Sequence, residues 1–190
     1  GDTADFGYMD KFSIVAWIDA TDDDGTLISR MTPVQQGAGY YVHLRDGRVQ
    51  VNLINRWLDD AIRVESREPL PQDRWCHLSV TYDGSRLADG IQVYVDGQLF
   101  PMDVKLDRIN QTFALPKEPL RIGGGQSPFT GGLDEVRIYA RDLAAQEIRL
   151  LAVRQTVSEI LSLPVVSRND SQRRKLTRYF LDNHAPAAIR

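Results

Sequence analysis

Trp75–Tyr82 (WCHLSVTY), closed by Asp83-Gly84, is followed by Ile91–Val95 (IQVYV), closed by Asp96-Gly97. In both runs apolar and polar residues alternate up to an Asp-Gly pair, the pattern of half-buried strands ending in tight turns. Working outward, the same pattern recurs upstream in Phe12–Ala20 (FSIVAWIDA), Thr26–Met31 (TLISRM), Tyr40–Leu44 (YYVHL), Arg48–Asn55 (RVQVNLIN) and Ala61–Ser66 (AIRVES). The third and fourth of these runs are separated by RDG, a compact hairpin with Asp46-Gly47 at its tip. Downstream, Leu120–Ile122 leads into GGGQSPFTGG, and Leu133–Ala140 (LDEVRIYA) is the last strand. Many short strands with turn signals between them and no helical run among them predict an all-β fold, an antiparallel sandwich of two sheets.

Composition bounds the function. The chain has 190 residues, 42% hydrophobic and 26% charged, with a net charge of -3. That is long enough for one domain with a real core and an appendage. No apolar run approaches the ~20 residues of a membrane span, so membrane insertion is not expected. The near-neutral balance gives no whole-chain reason to expect nucleic acid. The single cysteine, Cys76, excludes an internal disulfide and a CxxC metal or haem site. The opening GDTADFG has no initiator Met and no targeting segment, which leads us to expect a mature or excised piece of a larger protein.

Strand parity sorts the side chains. Val42, Leu44, Val49, Val51, Leu53, Ile62, Val64, Leu78, Val80, Ile91, Val93 and Val95 share one parity and are expected between the sheets. Tyr41, His43, Arg45, Gln50, Asn52, Arg63, Glu65, His77, Ser79, Thr81, Gln92 and Tyr94 share the other and are expected on a polar outer face. Such a face is either plainly solvated or a ligand platform. Tyr41, His43, Asn52, Arg63 and Tyr94 suit sugar recognition, because aromatic faces stack on apolar pyranose surfaces while planar polar groups bridge hydroxyls. The loop Asn55–Asp60 adds Trp57, either a stacking platform at a groove edge or a lid on the core.

The pattern changes after the last strand. Leu143–Val153 has a helical stripe of Leu143, Ile148, Leu151 and Ala152, predicting a short helix packed on the sandwich. Ser171–Asn183 predicts a second helix with Ser171 or Asp170 as its N-cap. Residues 154–190 carry a charge of +4, leaving -7 for residues 1–153. We therefore divide the chain into a sandwich over 1–153 and a helical extension or inter-domain linker over 154–190. Arg173, Arg174, Lys175 and Arg178 are read as the solvated side of a helix facing a neighbouring domain, not as a nucleic-acid patch.

The order FSIVAWI, GTLISR, GYYVHL, RWCHLSVTYDGSR, IQVYVDGQ, LRIGGG and FTGGLDEVRIYARDLAAQEI resembles the laminin-G-like domain of the concanavalin A-like lectin/glucanase superfamily. The tail, with RNDSQRRKLTRYFLDNHAP, further resembles large multidomain planctomycete proteins that carry a cytochrome c module; the haem-bearing CxxCH segment would lie outside this chain, so no haem is expected in it. The resemblance implies a jelly-roll sandwich of two curved sheets that binds carbohydrate or protein in an extracytoplasmic setting, frequently with a structural calcium. In Gly132-Leu133-Asp134-Glu135-Val136 the calcium position carried over from the family is Asp134.

Catalysis is not expected. Laminarinase-type relatives carry Glu-x-Asp-x-(x)-Glu on one strand, so that carboxylates of one parity converge on one glycosidic bond. No Glu-x-Asp occurs in this chain, and Asp134 and Glu135 are strand neighbours that face opposite ways. Cys76 shares the parity of Leu78 and Val80 and reads as a buried, inert thiol. The glycine run lacks the Gly-Lys-Ser/Thr ending of a phosphate loop. The reading reached is a non-catalytic recognition module for a glycan or polysaccharide. The alternatives are a structural domain packing on sister domains without a glycan and, third, an unrecognised glycosidase.

Overall fold

A computed structural model of the chain describes residues 3–72, 74–115 and 117–185. It divides into two compact units, Gly1–Leu143 and Ala144–Arg190. Among the described residues the first holds eleven strands: β1 Phe12–Ala20, β2 Gly25–Met31, β3 Gly39–Arg45, β4 Arg48–Arg56, β5 Asp60–Pro69, β6 Cys76–Tyr82, β7 Ile91–Val95, β8 Gln98–Phe100, β9 Met102–Arg108, β10 Arg121–Ile122 and β11 Gly131–Tyr139. They form a five-stranded sheet, β11-β1-β6-β7-β8, and a six-stranded sheet, β10-β2-β3-β4-β5-β9. All pairings are antiparallel, as the sequence pattern requires.

The turns follow from local chemistry. Asp46 and Gly47 have φ of +49° and +68°, and Asp96 and Gly97 have +50° and +76°. Two successive positive φ angles make a type I′ turn, whose twist matches that of the flanking strands. Each Asp-Gly pair thus sets the register of its hairpin, β3–β4 and β7–β8.

Register in turn decides the core. Every residue expected between the sheets is there, from Val42 and Leu44 through Val93 and Val95, packed with Phe12, Ile14, Tyr40, Cys76 and Tyr82. Burying one such aliphatic side chain stabilises the fold by about 1.5–3 kcal/mol. The segment before β1 closes one end of the sandwich. Phe6 stacks on Phe12 with centroids 4.7 Å apart, Tyr40 donates to the Ala4 carbonyl at 2.7 Å and Tyr82 to the Tyr8 carbonyl at 2.6 Å. Arg30, 1% exposed, pairs there with Asp5 at 3.3 Å and donates to the carbonyls of Thr3 and Leu115.

Two strands escaped the sequence reading, β8 and β9. In β9, Met102 packs against the main core while Leu106 packs against a small cluster on the opposite face of the sheet. Residues four apart in a regular strand share a face. Here the register slips between Arg63–Leu106 and Val64–Val104, leaving Lys105 as an extra residue and turning Leu106 outward. That bulge breaks the alternation a sequence scan relies on.

The second unit contains α1 Ala145–Leu151, α2 Val157–Ser162 and α3 Asp170–Asn183. The cap of α3 is Asn169, neither Ser171 nor Asp170: its side chain accepts from Gln172 N at 2.9 Å, and Gln172 Oε1 accepts from Asn169 N at 2.8 Å. Lys175 is spent on the carbonyls of Val153 and Gln155, at 2.7 and 2.9 Å. Residues 186–190 of the expected extension lie outside the described residues. Among the described residues no helix is long and apolar enough to cross a membrane.

Candidate functional site

The outer face of the six-stranded sheet is organised in cross-strand rows. One runs Ser29–Tyr41–Asn52–Arg63–Leu106 across β2, β3, β4, β5 and β9. The next runs Thr26–His43–Gln50–Glu65–Asp103 across the same strands. Directly opposed residues in antiparallel strands hold their side chains together, so these two rows form one continuous face, buried at Ser29, Thr26, Tyr41, His43 and Asn52. Over it lies a groove of about 320 Å³, open to solvent and lined by Arg45, Gln50, Asn52, Trp57, Arg63, Val64, Glu65 and Lys105.

At one side of the groove, Met31, Tyr41, Ile54 and Ala61 form a second, small apolar cluster, with Trp57 and Leu106 packed against it. Trp57 is therefore a lid, but on this outer cluster and not on the main core. The guanidinium of Arg63 covers the indole, 4.0 Å from carbon to ring centroid. The rest of the Asn55–Asp60 loop is structural. Arg56 grips Asp59 through two contacts of 3.0 and 3.2 Å. Asp60 is buried, accepting from Asn55 Nδ2 at 2.8 Å and from the backbone N–H groups of Asn110 and Gln111 at 2.6 and 3.4 Å. Burial pushes the Asp60 carboxyl up, and these hydrogen bonds outweigh it and hold the group below its usual range.

The polar side chains of the groove fall into two groups. Glu65 is fully engaged: Oε1 meets Lys105 Nζ at 2.9 Å and Oε2 accepts from Gln50 Nε2 at 2.7 Å. Burial raises its pKa, but Lys105 and Gln50 prevail, so the carboxyl sits below its ordinary value. In contrast, Tyr41 Oη, Asn52 Nδ2 and Arg63 Nε are buried without a hydrogen-bond partner. Tyr41 and Asn52 are 1% and 2% exposed. Burial pushes the Tyr41 phenol up, against the pull of Arg63, and makes the charge on Arg63 harder to hold. Three orphaned groups on three consecutive residues of one row are costly, at about 1–3 kcal/mol each, and mark a place where something else completes the network.

Four of the six expected ligand residues, Tyr41, Asn52, Trp57 and Arg63, thus meet in one place. His43 lies beside them, its ring 6.5 Å from that of Tyr41, but it is buried and shares a hydrogen bond of 3.2 Å with Thr26 Oγ1. Burial, aided by the charge of Arg45, pushes its pKa down to about 4. Tyr94 is not part of this surface. It belongs to β7 in the five-stranded sheet, is 6% exposed, and donates to Gln92 Oε1 at 2.5 Å. The same separation applies to His43 and His77, which share a parity but lie in different sheets. Parity assigns a face, not a sheet, and that is the physical reason for both corrections. Trp17 stands half-buried beside His77, ring centroids 5.2 Å apart, on the outer side of its sheet. Lys105, absent from the sequence reading, enters the site through the β9 bulge; the one available signal was the acidic-basic alternation of Met102–Arg108 (MDVKLDR).

Asp134 is exposed on β11, with Oδ1 accepting the Glu135 N–H at 2.7 Å. Among the described residues no three His, Cys, Asp or Glu side chains gather as metal ligands. Side chains alone therefore do not build a calcium cage at Asp134. Cys76 is a buried core thiol, its pKa pushed up by burial to about 11.

Two antiparallel sheets packed face to face, the larger bearing this groove on its outer side, define a jelly roll of concanavalin A type. The chain belongs to the concanavalin A-like lectin/glucanases superfamily, whose laminin-G-like family model matches residues 2–149. No curated protein matches it. Among solved structures it is similar to the carbohydrate-binding module, bound to α2,3-sialyllactose, of the Ruminococcus gnavus IT-sialidase, at 15% identity and a TM-score of 0.58, covering 76% of this chain and 83% of that one. The binding domain of paraclostridial mosquitocidal protein 1 gives 16% identity and a TM-score of 0.58, over 80% of this chain and 39% of that one. A candidate carbohydrate-binding protein of Bacteroides ovatus gives 19% identity and 0.55, over 77% and 41%. The chain thus spans less than half the length of the latter two, and at these identities the likeness is one of fold. All three of these neighbours are binding proteins or binding domains.

Proposed function

We propose that this chain is a non-catalytic carbohydrate-binding module of a larger extracytoplasmic protein, with its ligand on the outer face of the six-stranded sheet. The observation that carries this reading is the cross-strand pair Asn52–Arg63, which lines a groove edged by Trp57 and carries two buried donors, Nδ2 and Nε, that lack partners. An aromatic edge beside planar polar groups is the donor set for a sugar ring. The sialyllactose-bound module among the structural neighbours supports a glycan as the kind of partner. Against glycosidase chemistry, the groove is lined by one carboxylate, Glu65, and both its oxygens are engaged. A hydrolase needs two carboxylates across one bond.

The test is retention of the chain on a broad panel of polysaccharides by affinity electrophoresis. Saturable retardation by one polymer class, weakened at least tenfold in Asn52→Ala, is expected. A folded protein that binds nothing across the panel would overturn the reading. Release of reducing ends from any panel polymer would make it an enzyme. A structural calcium held by Asp134 together with backbone carbonyls has its own test: a melting temperature raised by calcium over chelator and lost in Asp134→Ala is the expected result, and equal melting temperatures would remove the cation.

A second reading is favoured by Val165, Val166, Tyr179 and Phe180 of the second unit, all exposed. Such apolar groups suit packing against sister domains of a parent protein. This reading takes over if the glycan panel fails while the chain stays folded.

A further inference from the structure

We infer that the groove selects an acidic glycan, one presenting a carboxylate or sulfate group to Arg63 and its neighbours Asn52 and Arg45. This inference rests on the carbohydrate-binding reading and deepens it.

Two orphaned atoms belong to residues that line the groove, Asn52 Nδ2 and Arg63 Nε, and both can only donate. The partner that suits them is an acceptor. A neutral sugar hydroxyl accepts one or two but brings a proton that needs an acceptor of its own. The carboxylate at hand, Glu65, already has its two oxygens taken by Lys105 and Gln50. An anionic group accepts only, and offers two or three oxygens to these donors.

Charge points the same way. The groove is lined by Arg45, Arg63 and Lys105 against the single carboxylate of Glu65, on a chain whose net charge is -3. Lys105 is paired with Glu65; among the described residues neither Arg45 nor Arg63 has a salt bridge. Arg63 is half-buried, and among the described residues its guanidinium has no hydrogen-bond partner and lies against the Trp57 ring. A half-buried cation without an anion is costly to keep. With one face against the indole, the guanidinium is held in a fixed plane, which preserves its fork for two-point contact with a planar or tetrahedral anion. The neighbouring exposed Arg45 widens the positive field at the mouth of the groove.

The experiment compares matched polymers on the 190-residue chain by isothermal titration: polygalacturonate against its carboxyl-reduced form, and dextran sulfate against dextran. Binding of the charged member at least tenfold tighter than its neutral partner is expected, with the first pair reporting a carboxylate and the second a sulfate. Arg63→Gln should abolish the preference, and Arg63→Lys should retain only part of it because the fork is lost. Arg45→Gln, at an exposed position that folding does not depend on, should weaken the charged polymer severalfold and serves if Arg63→Gln fails to fold. Equal binding of charged and neutral members would overturn the acidic preference while leaving the carbohydrate reading intact. No binding of any of the four polymers, or of the wider panel, would end both. A preference lost in Arg173→Gln/Arg174→Gln and kept in Arg63→Gln would assign it to the basic helix and overturn the inference.

Discussion

The guanidinium of Arg63 lies over the indole of Trp57 at 4.0 Å, so that a charge from the middle of β5 holds down the turn that begins β5. The contact joins the apolar cluster around Tyr41 to the polar groove, and it fixes both the lid and the fork. A cation over a partly desolvated indole gains about 0.5–2 kcal/mol. In a double-mutant cycle of Trp57→Ala and Arg63→Gln, denaturant unfolding should return a coupling energy in that range. Additive losses would mean that the stacking contributes nothing.

Acid should unfold this protein earlier than its carboxylates alone would. His43 and His77 are buried and neutral, each pushed from an ordinary 6.5 down to about 4 by burial, with the charge of Arg45 adding at His43. Between those values the unfolded chain binds protons that the native histidines do not, so stability is complete above pH 6.5 and falls as pH drops towards 4. The loss is on the order of 3 kcal/mol per histidine. Melting temperature followed from pH 7.5 to 4 should decline across this window, and His77→Gln should flatten the slope.

The Asn55–Asp60 loop offers an internal contrast. Asp60→Ala removes the acceptor of two backbone N–H groups and of Asn55, and should cost about 2–4 kcal/mol. Arg56→Ala breaks an exposed pair with Asp59 and should cost under about 0.5 kcal/mol. Urea midpoints of the two variants decide it; equal losses would contradict the structural role given to Asp60.

Tyr94→Phe should leave glycan binding unchanged, because Tyr94 lies in the other sheet. Its one expected effect is about 1 kcal/mol of stability from the lost bond to Gln92. Asn52→Ala should do the reverse: its partnerless Nδ2 adds nothing to the free protein, so the cost falls on binding. Titration calorimetry and unfolding on the two variants together locate the face.

The sequence reading reached the sandwich because its signals are local. Phe12–Ala20, Tyr40–Leu44 and Trp75–Tyr82 alternate cleanly, and the Asp-Gly pairs at 46–47 and 96–97 adopt the positive φ angles that type I′ turns demand. It missed β9 because the bulge at Lys105 hides the alternation, and with it a cation of the site. It grouped Tyr94 with Tyr41 because both face outward from their strands, although the strands belong to different sheets.

What the sequence by itself determined is therefore the set of strands, their turns and the inward parity from Val42 to Val95, since each depends on a few neighbouring residues and the two-residue period of a strand. The tertiary structure decided which outward residues share a surface. Strand order placed Tyr41, Asn52 and Arg63 in one row, the folded-back loop laid Trp57 over them, and the bulge delivered Lys105. Those outcomes depend on pairings between segments far apart in the chain, where no local propensity acts and register is set by the packing of the whole sheet.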